Sequence, residues 1–280
     1  MYANILVATD GSELATIACR QGLSLAEALG SRVHALYAAD VPSDVSWQLV
    51  DEDWRSTGQS IVSPLAEEAS DRGLEVEASV RGGAPRREII DYAAEHEIDL
   101  VVCGTHGRTG LRRLIAGSVA SGVVRDSPAP VLTVSAHVGT VVDPIETILI
   151  ATDGRPGVES AVEQGLSLAA ALEAHLHVLS VVDDTQSQLS VVLEAFEEQA
   201  TEAVSTVEHR AARRDVSTTR SIEHGVPHEA ITGYAEGHDV DLVVMGTESR
   251  TGLDRFAFGS CSQRVVGTAP VPVVTARTLE

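Results

Sequence analysis

The chain has 280 residues and a formal net charge of −21, and its 20 basic residues are all arginine. Such acidity excludes non-specific binding to DNA or to an anionic membrane, because like charges repel. It fits a halophilic host whose salt screens the charge; a GC-rich genome would explain the missing lysine but not the acidity.

The first apolar run, Asn4–Ala8, closes on Thr9-Asp10-Gly11 and reads as a strand ending in a turn. Leu14–Leu29 carries apolar residues at helical spacing and stops at Gly30. Val33–Ala39 is the second strand, Trp54–Arg72 a helix stopped by Gly73, and Leu74–Val80 an alternating third strand. Pro85–His96 is a helix with proline in its first turn, and Leu100–Cys103 is a wholly apolar fourth strand. Gly117–Arg125 begins the last helix and Pro130–Val134 is the last strand. The order then repeats. ILVATDG at 5–11 returns as ILIATDG at 148–154, and QGLSLA at 21–26 returns at 164–169. DLVVCGTHGRTGLRR at 99–113 returns as DLVVMGTESRTGLDR at 241–255. Self-similarity at this period means two copies of one domain, 1–136 and 146–280, with a linker at 137–145.

Strands alternating with helices, the strands almost continuously apolar, predict α/β architecture: two tandem, doubly wound, open parallel sheets of Rossmann type. Ligands of such sheets bind beyond the carboxyl ends of the strands, which singles out the loops Thr9–Ser12, Ala39–Asp44 and Gly104–Gly117. The stretch 40–59 differs most between the copies and holds Trp47 and Trp54; it reads as a variable surface loop with anchoring aromatics, with a lid as the alternative. Cys19, Cys103 and Cys261 correspond to Val162, Met245 and Val119 in the other copy, so they read as small buried hydrophobes of a reducing compartment. No apolar run approaches the ~18 residues of a membrane span. The first strand starts too early to leave room for a secretory leader, so a cytoplasmic location is expected.

The chemistry concentrates in the loop Gly104-Thr105-His106-Gly107-Arg108-Thr109-Gly110, which leads to Gly117-Ser118 at a helix start. Glycine at a strand end lets backbone amides approach a ligand. Amides at the start of a helix lack acceptors and sit in a favourable dipole. Ser118 could cap that helix or bind a phosphate oxygen, and Arg108 supplies a forked cation. The set suits a polyphosphate.

The spacing Gly104-x2-Gly107-x9-Gly117-Ser118 resembles the ATP-binding signature of the universal stress protein family. ILVATDGS at 5–12 and SPAPVLTV at 127–134 resemble that family's first and last strands, and the resemblance covers both copies nearly end to end. It implies the adenine-nucleotide alpha hydrolase-like form of the Rossmann sheet. It places Ala8 and Thr9 beside the nucleotide, Asp10 near the phosphates or their Mg2+, and the backbone of Ala38 against adenine. Cys103 and Gly104 would border the adenosine, and His106, Gly107 and Arg108 would line the phosphate path. Gly117, Ser118 and Val119 would donate from the helix start. Asp10 also fits a plain Asp-Gly turn cap, and His106 a solvated loop histidine.

In the second copy Thr152, Asp153, Val181, Gly246, Arg250, Gly259 and Ser260 match more weakly, because Ser249 replaces the middle glycine and Glu248 stands where His106 does. Serine at positive φ costs about 1 kcal/mol, and a glutamate facing phosphates adds repulsion of about that size. Together they predict a second site about tenfold to a hundredfold weaker.

The resemblance implies a regulatory protein that binds ATP (or AMP or ADP) with Mg2+ and has little or no catalysis. Two alternatives stay open: a slow ATPase or nucleotide hydrolase using His106 or Asp10, and a non-nucleotide protein-interaction module. Within the family the last strands commonly pair across a dimer. That implies an intrachain pseudo-dimer of the two copies, which could associate further into a homodimer. No protein partner can be named.

Other constellations are poor. The ten histidines show no metal-ligand spacing; His175 and His177 share a strand face without an evident third ligand. Ser12 has no histidine matched to it for a hydrolase triad. Arg86–Arg87 and Arg112–Arg113 read as solvated helix faces, and the lysine-bearing P-loop is absent.

Overall fold

The apolar runs become strands with side chains buried on both faces: Ile5, Leu6 and Val7, like Leu100, Val101 and Val102, are at most 1% exposed. The computed structural model describes residues 2–41, 53–106, 117–184, 190–247 and 259–278. The chain divides into two units, Met1–Ala136 and His137–Glu280. The first comprises β1 (Asn4–Thr9), α1 (Glu13–Leu29), β2 (Arg32–Asp40), α2 (Asp53–Asp71), β3 (Val76–Gly83), α3 (Pro85–Glu95), β4 (Leu100–Gly104), α4 (Ser118–Asp126) and β5 (Val131–Val134). Its strands lie in the order β3-β2-β1-β4-β5, all parallel.

The second unit runs β6 (Thr147–Ala151), α5 (Glu159–Ala171), β7 (His175–Val182), α6 (Ser190–Ala212), β8 (Thr218–His224), α7 (Pro227–Gly237), β9 (Leu242–Gly246), α8 (Ser260–Thr268) and β10 (Val273–Ala276). Its parallel order is β8-β7-β6-β9-β10. In each unit the winding reverses beside the first strand, which is the switch point of a doubly wound sheet. No described helix is long and apolar enough to cross a membrane.

The repeated sequences now have physical reasons. In QGLSLA the glycine lets the helix lie directly on the sheet: a Cβ on Gly22 would sit 3.0 Å from Val7, and one on Gly165 would run into Ile150. In DLVV the aspartate ties two strands together. Asp99 Oδ2 accepts from the Ala3 and Asn4 amides at 2.7 and 2.9 Å, and Asp241 Oδ2 accepts from those of Glu146 and Thr147 at 2.8 Å each.

The third strand starts at Val76 rather than Leu74, because the Leu74 N–H bonds back to Ala69 O at 3.0 Å and closes α2. Trp54 anchors α2 by packing against the cluster of Tyr37, Ala39, Val41 and Val62. Trp47 lies outside the described residues.

Candidate functional site

In the first unit β2 outruns β1. Their ladder ends at Thr9 beside Tyr37, while β2 continues against β3 to Asp40 beside Gly83. The half-buried Ala38 therefore sits on a step beyond the end of β1. There the chain turns. Gly11, at φ 78, donates to Thr9 Oγ1 at 3.2 Å, and the Ser12 amide donates to Asp10 Oδ1 at 3.0 Å. Asp10 thus does act as a turn cap, and the turn it holds delivers Ser12, whose hydroxyl accepts from the Ala15 amide and starts α1.

β4 ends beside this turn with Cys103 and Gly104. The Thr105 amide bonds to Val134 O at 2.9 Å, and the Gly117 amide bonds to Thr105 O at 2.7 Å. The second bond draws the start of α4 onto the end of β4. Gly117 is the N-cap, in extended conformation, and as a glycine it supplies no side-chain cap. The amides of its first turn, on the exposed Ser118 and Val119, therefore have no intrahelical acceptor and point a positive dipole end outward. His106 Nδ1 lies 3.0 Å from Thr105 Oγ1, and its Nε2 is buried without a partner among the described residues. Burial pushes the Cys103 thiol up to about 12 and that of Cys19 up to about 11, so both stay protonated and unreactive.

The second unit repeats the geometry and encloses a cleft of about 350 Å³. β6 pairs with β7 only as far as Ala151 beside Leu179, whereas β7 continues with β8 to Val182 beside His224. The expected residues Thr152, Asp153, Val181, Gly246, Gly259 and Ser260 all line that cleft. Gly259 is the N-cap of α8, again without a side-chain cap, and its amide bonds to Thr247 O at 2.9 Å. Asp153 Oδ1 accepts from the Arg155 amide at 3.1 Å, and the Arg155 Nε lies 3.6 Å from its other oxygen.

Two cleft residues escaped the sequence reading. Arg264 on α8 and His228 on α7 line the cleft, with Arg264 Nη1 3.4 Å from His228 Nε2. The first copy has Gly122 and Arg86 at these positions, and Arg86 lies over Gly122 and pairs with Asp126. The basic side chain is thus carried by α3 in one unit and by α8 in the other. That exchange of arginine for glycine between the copies was the available signal.

Two expectations are corrected. Ser118 does not cap α4, because the preceding Gly117 takes the cap position and leaves Ser118 as the first helical residue. Cys261 is half-exposed rather than buried, because it stands in the first turn of α8 on the cleft wall. Arg86 and Arg87 stand on a solvated face, as expected, and pair there with Asp126 and Asp91. Gly107, Arg108, Arg112 and Arg113, with Glu248, Ser249 and Arg250, lie outside the described residues.

Residues 1–135 and 144–277 each match the family model of the Universal stress protein family. A universal stress protein of Methanocaldococcus jannaschii is 33% identical over 140 residues, which span 48% of this chain and 82% of that one. Another, of Mycobacterium bovis, is 28% identical over 247 residues, 85% of this chain and 81% of that one. The crystal structure of a universal stress protein from Archaeoglobus fulgidus superposes with a TM-score of 0.77, covering 99% of this chain and 97% of that one at 20% identity. That likeness is one of fold.

Proposed function

The chain belongs to the universal stress protein family, and on that premise we propose that both units bind an adenine nucleotide at the ends of their strands. The chain then works as a cytoplasmic, ATP-binding regulator with no dedicated catalytic step. ATP with Mg2+ is the proposed ligand of the first unit, and the second unit binds it more weakly through Ser249 and Glu248.

The observation that carries this reading is the uncapped helix start held against β4 by the Gly117–Thr105 bond. Its amides offer the phosphates donors without acceptors, and the dipole favours an anion despite the acidic surface. The step at Ala38 or Val181 gives a flat base an edge to lie on, and Asp10 holds the turn at which Mg2+ would meet the phosphates. The orphaned Nε2 of His106 supports a ligand contact from the loop side.

Ser118→Glu tests the site directly. A glutamate in the first helical turn suits the dipole and leaves the helix intact, but it repels phosphate. Displacement of a fluorescent ATP analogue at molar KCl is expected to show at least tenfold weaker binding in this variant; unchanged binding would exclude the helix start as the phosphate site. His106 Nε2 also favours a second reading, slow hydrolysis, which requires phosphate release above a protein-free blank and its loss in His106→Gln. Pairing of the two copies within one chain, proposed from the family's dimers, predicts a monomer by light scattering unless pseudo-dimers associate further.

A further inference from the structure

Three residues back from the cleft end of β1, or about 10 Å, β2, β3 and α3 gather a different set of side chains. His34 on β2 stands beside Glu77 on β3 in the parallel ladder. The end of α3 adds Tyr92 and His96. The ligating atoms of His34, Glu77 and His96 lie within 4.8 Å of one another. His34 is only 3% exposed; its Nδ1 lies 3.0 Å from Tyr92 Oη, and its Nε2 is buried with no partner among the described residues.

We propose that His34, Glu77 and His96 form a binding site for one divalent transition-metal ion, Zn2+ by the chemistry of the donors. Two imidazoles and a carboxylate are a three-ligand zinc set that leaves a fourth position to water. If the Nδ1–H of His34 donates to Tyr92 Oη, the unpartnered Nε2 carries the lone pair, and the tyrosine fixes the ring as a second shell does. The ring spacing agrees. Imidazoles bound to one tetrahedral zinc at about 2.0–2.1 Å have centroids about 5 Å apart, and those of His34 and His96 are 5.4 Å apart. His96, stacked on Tyr92 with centroids 3.9 Å apart, and the half-exposed Glu77 can close the remaining gap. Arg32 Nη2 lies 3.2 Å from Glu77 Oε2, but its side chain is 41% exposed and can turn outward, and the second carboxylate oxygen can serve the ion.

The second copy provides the comparison. His177, Tyr234 and His238 repeat the ring framework, with Tyr234 stacked on His238 at 3.8 Å. Thr219 replaces Glu77 beside the histidine of the ladder, and His175 replaces Arg32. Both nitrogens of His175 are taken, by Ser217 at 2.8 Å and Thr219 at 2.9 Å. The shared rings are therefore framework, and the carboxylate that turns them into a ligand set is present only in the first copy.

The test uses the full chain stripped with EDTA, then titrated with Zn2+ against a chromophoric chelator and with Co2+ for its tetrahedral absorption. One equivalent per chain is expected, weakened at least tenfold in Glu77→Gln and in His96→Gln, and unchanged in Thr219→Val. His96 and Glu77 are both half-exposed, so these variants keep the fold, which urea unfolding checks. No Zn2+ retained against the chelator, or retention equal in Glu77→Gln and the unaltered chain, would overturn the site.

Discussion

Asp99 and Asp241 show how one side chain fixes the relation of two strands. Each carboxylate takes two backbone amides from the chain entering the neighbouring strand, so removing it leaves two donors at a sheet end without their acceptor. Asp99→Ala is expected to cost about 1.5–3 kcal/mol in urea unfolding; a loss below about 0.5 kcal/mol would mean that water replaces the carboxylate. The sequence advertised both aspartates by repeating them, but their partners lie about a hundred residues away and were not legible. His177 sets a pH dependence. Burial, then the nearby His175 and His238, hold its pKa below the ordinary value. The unfolded chain therefore takes up this proton at higher pH than the folded chain, and stability falls as pH drops below about 6.5. Denaturation curves from pH 8 to 5 should show that fall, and His177→Gln should lessen it, the rest coming from His34, whose pKa burial also lowers.

At the scale of elements, the copies differ most in how a helix begins and ends. Ser12 caps α1, and Gly30 ends it at φ 66. In the second copy Arg155 stands in the place of Ser12 and gives no side-chain cap. A 3-10 turn, Pro156–Val158, intervenes before α5, and Glu173 takes the left-handed position at φ 54. Ser12→Ala should cost about 1 kcal/mol, whereas Glu173→Gly should gain about 0.5–1 kcal/mol by relieving backbone strain. Thermal unfolding of the two variants should move in opposite directions. The apolar strands and the alternation of strand and helix were legible because periodicity and burial coincide in a doubly wound sheet. The start of β3 was not, because the bond from the Leu74 amide to Ala69 O belongs to a helix end and leaves no mark on the hydrophobic pattern.

For the whole molecule, duplication gives one scaffold with two versions of its site. That Thr152, Asp153, Val181, Gly246, Gly259 and Ser260 line one cleft was legible because a doubly wound sheet brings the loops beyond its strand ends together. His228 and Arg264 were not, since they reach the cleft from helices whose facing is set by packing. The His34–Glu77–His96 cluster was missed for the same reason: its members meet through a strand ladder and a crossover helix rather than through spacing along the chain. The duplication is proposed to have kept a strong nucleotide site in the first unit and a weaker one in the second. Calorimetric titration of the full chain with ATP and Mg2+ at molar KCl measures this most directly. One tight equivalent per chain is predicted, with a second about tenfold to a hundredfold weaker and the tight one weakened at least tenfold in Ser118→Glu; two equal sites, or no heat of binding at all, would contradict it.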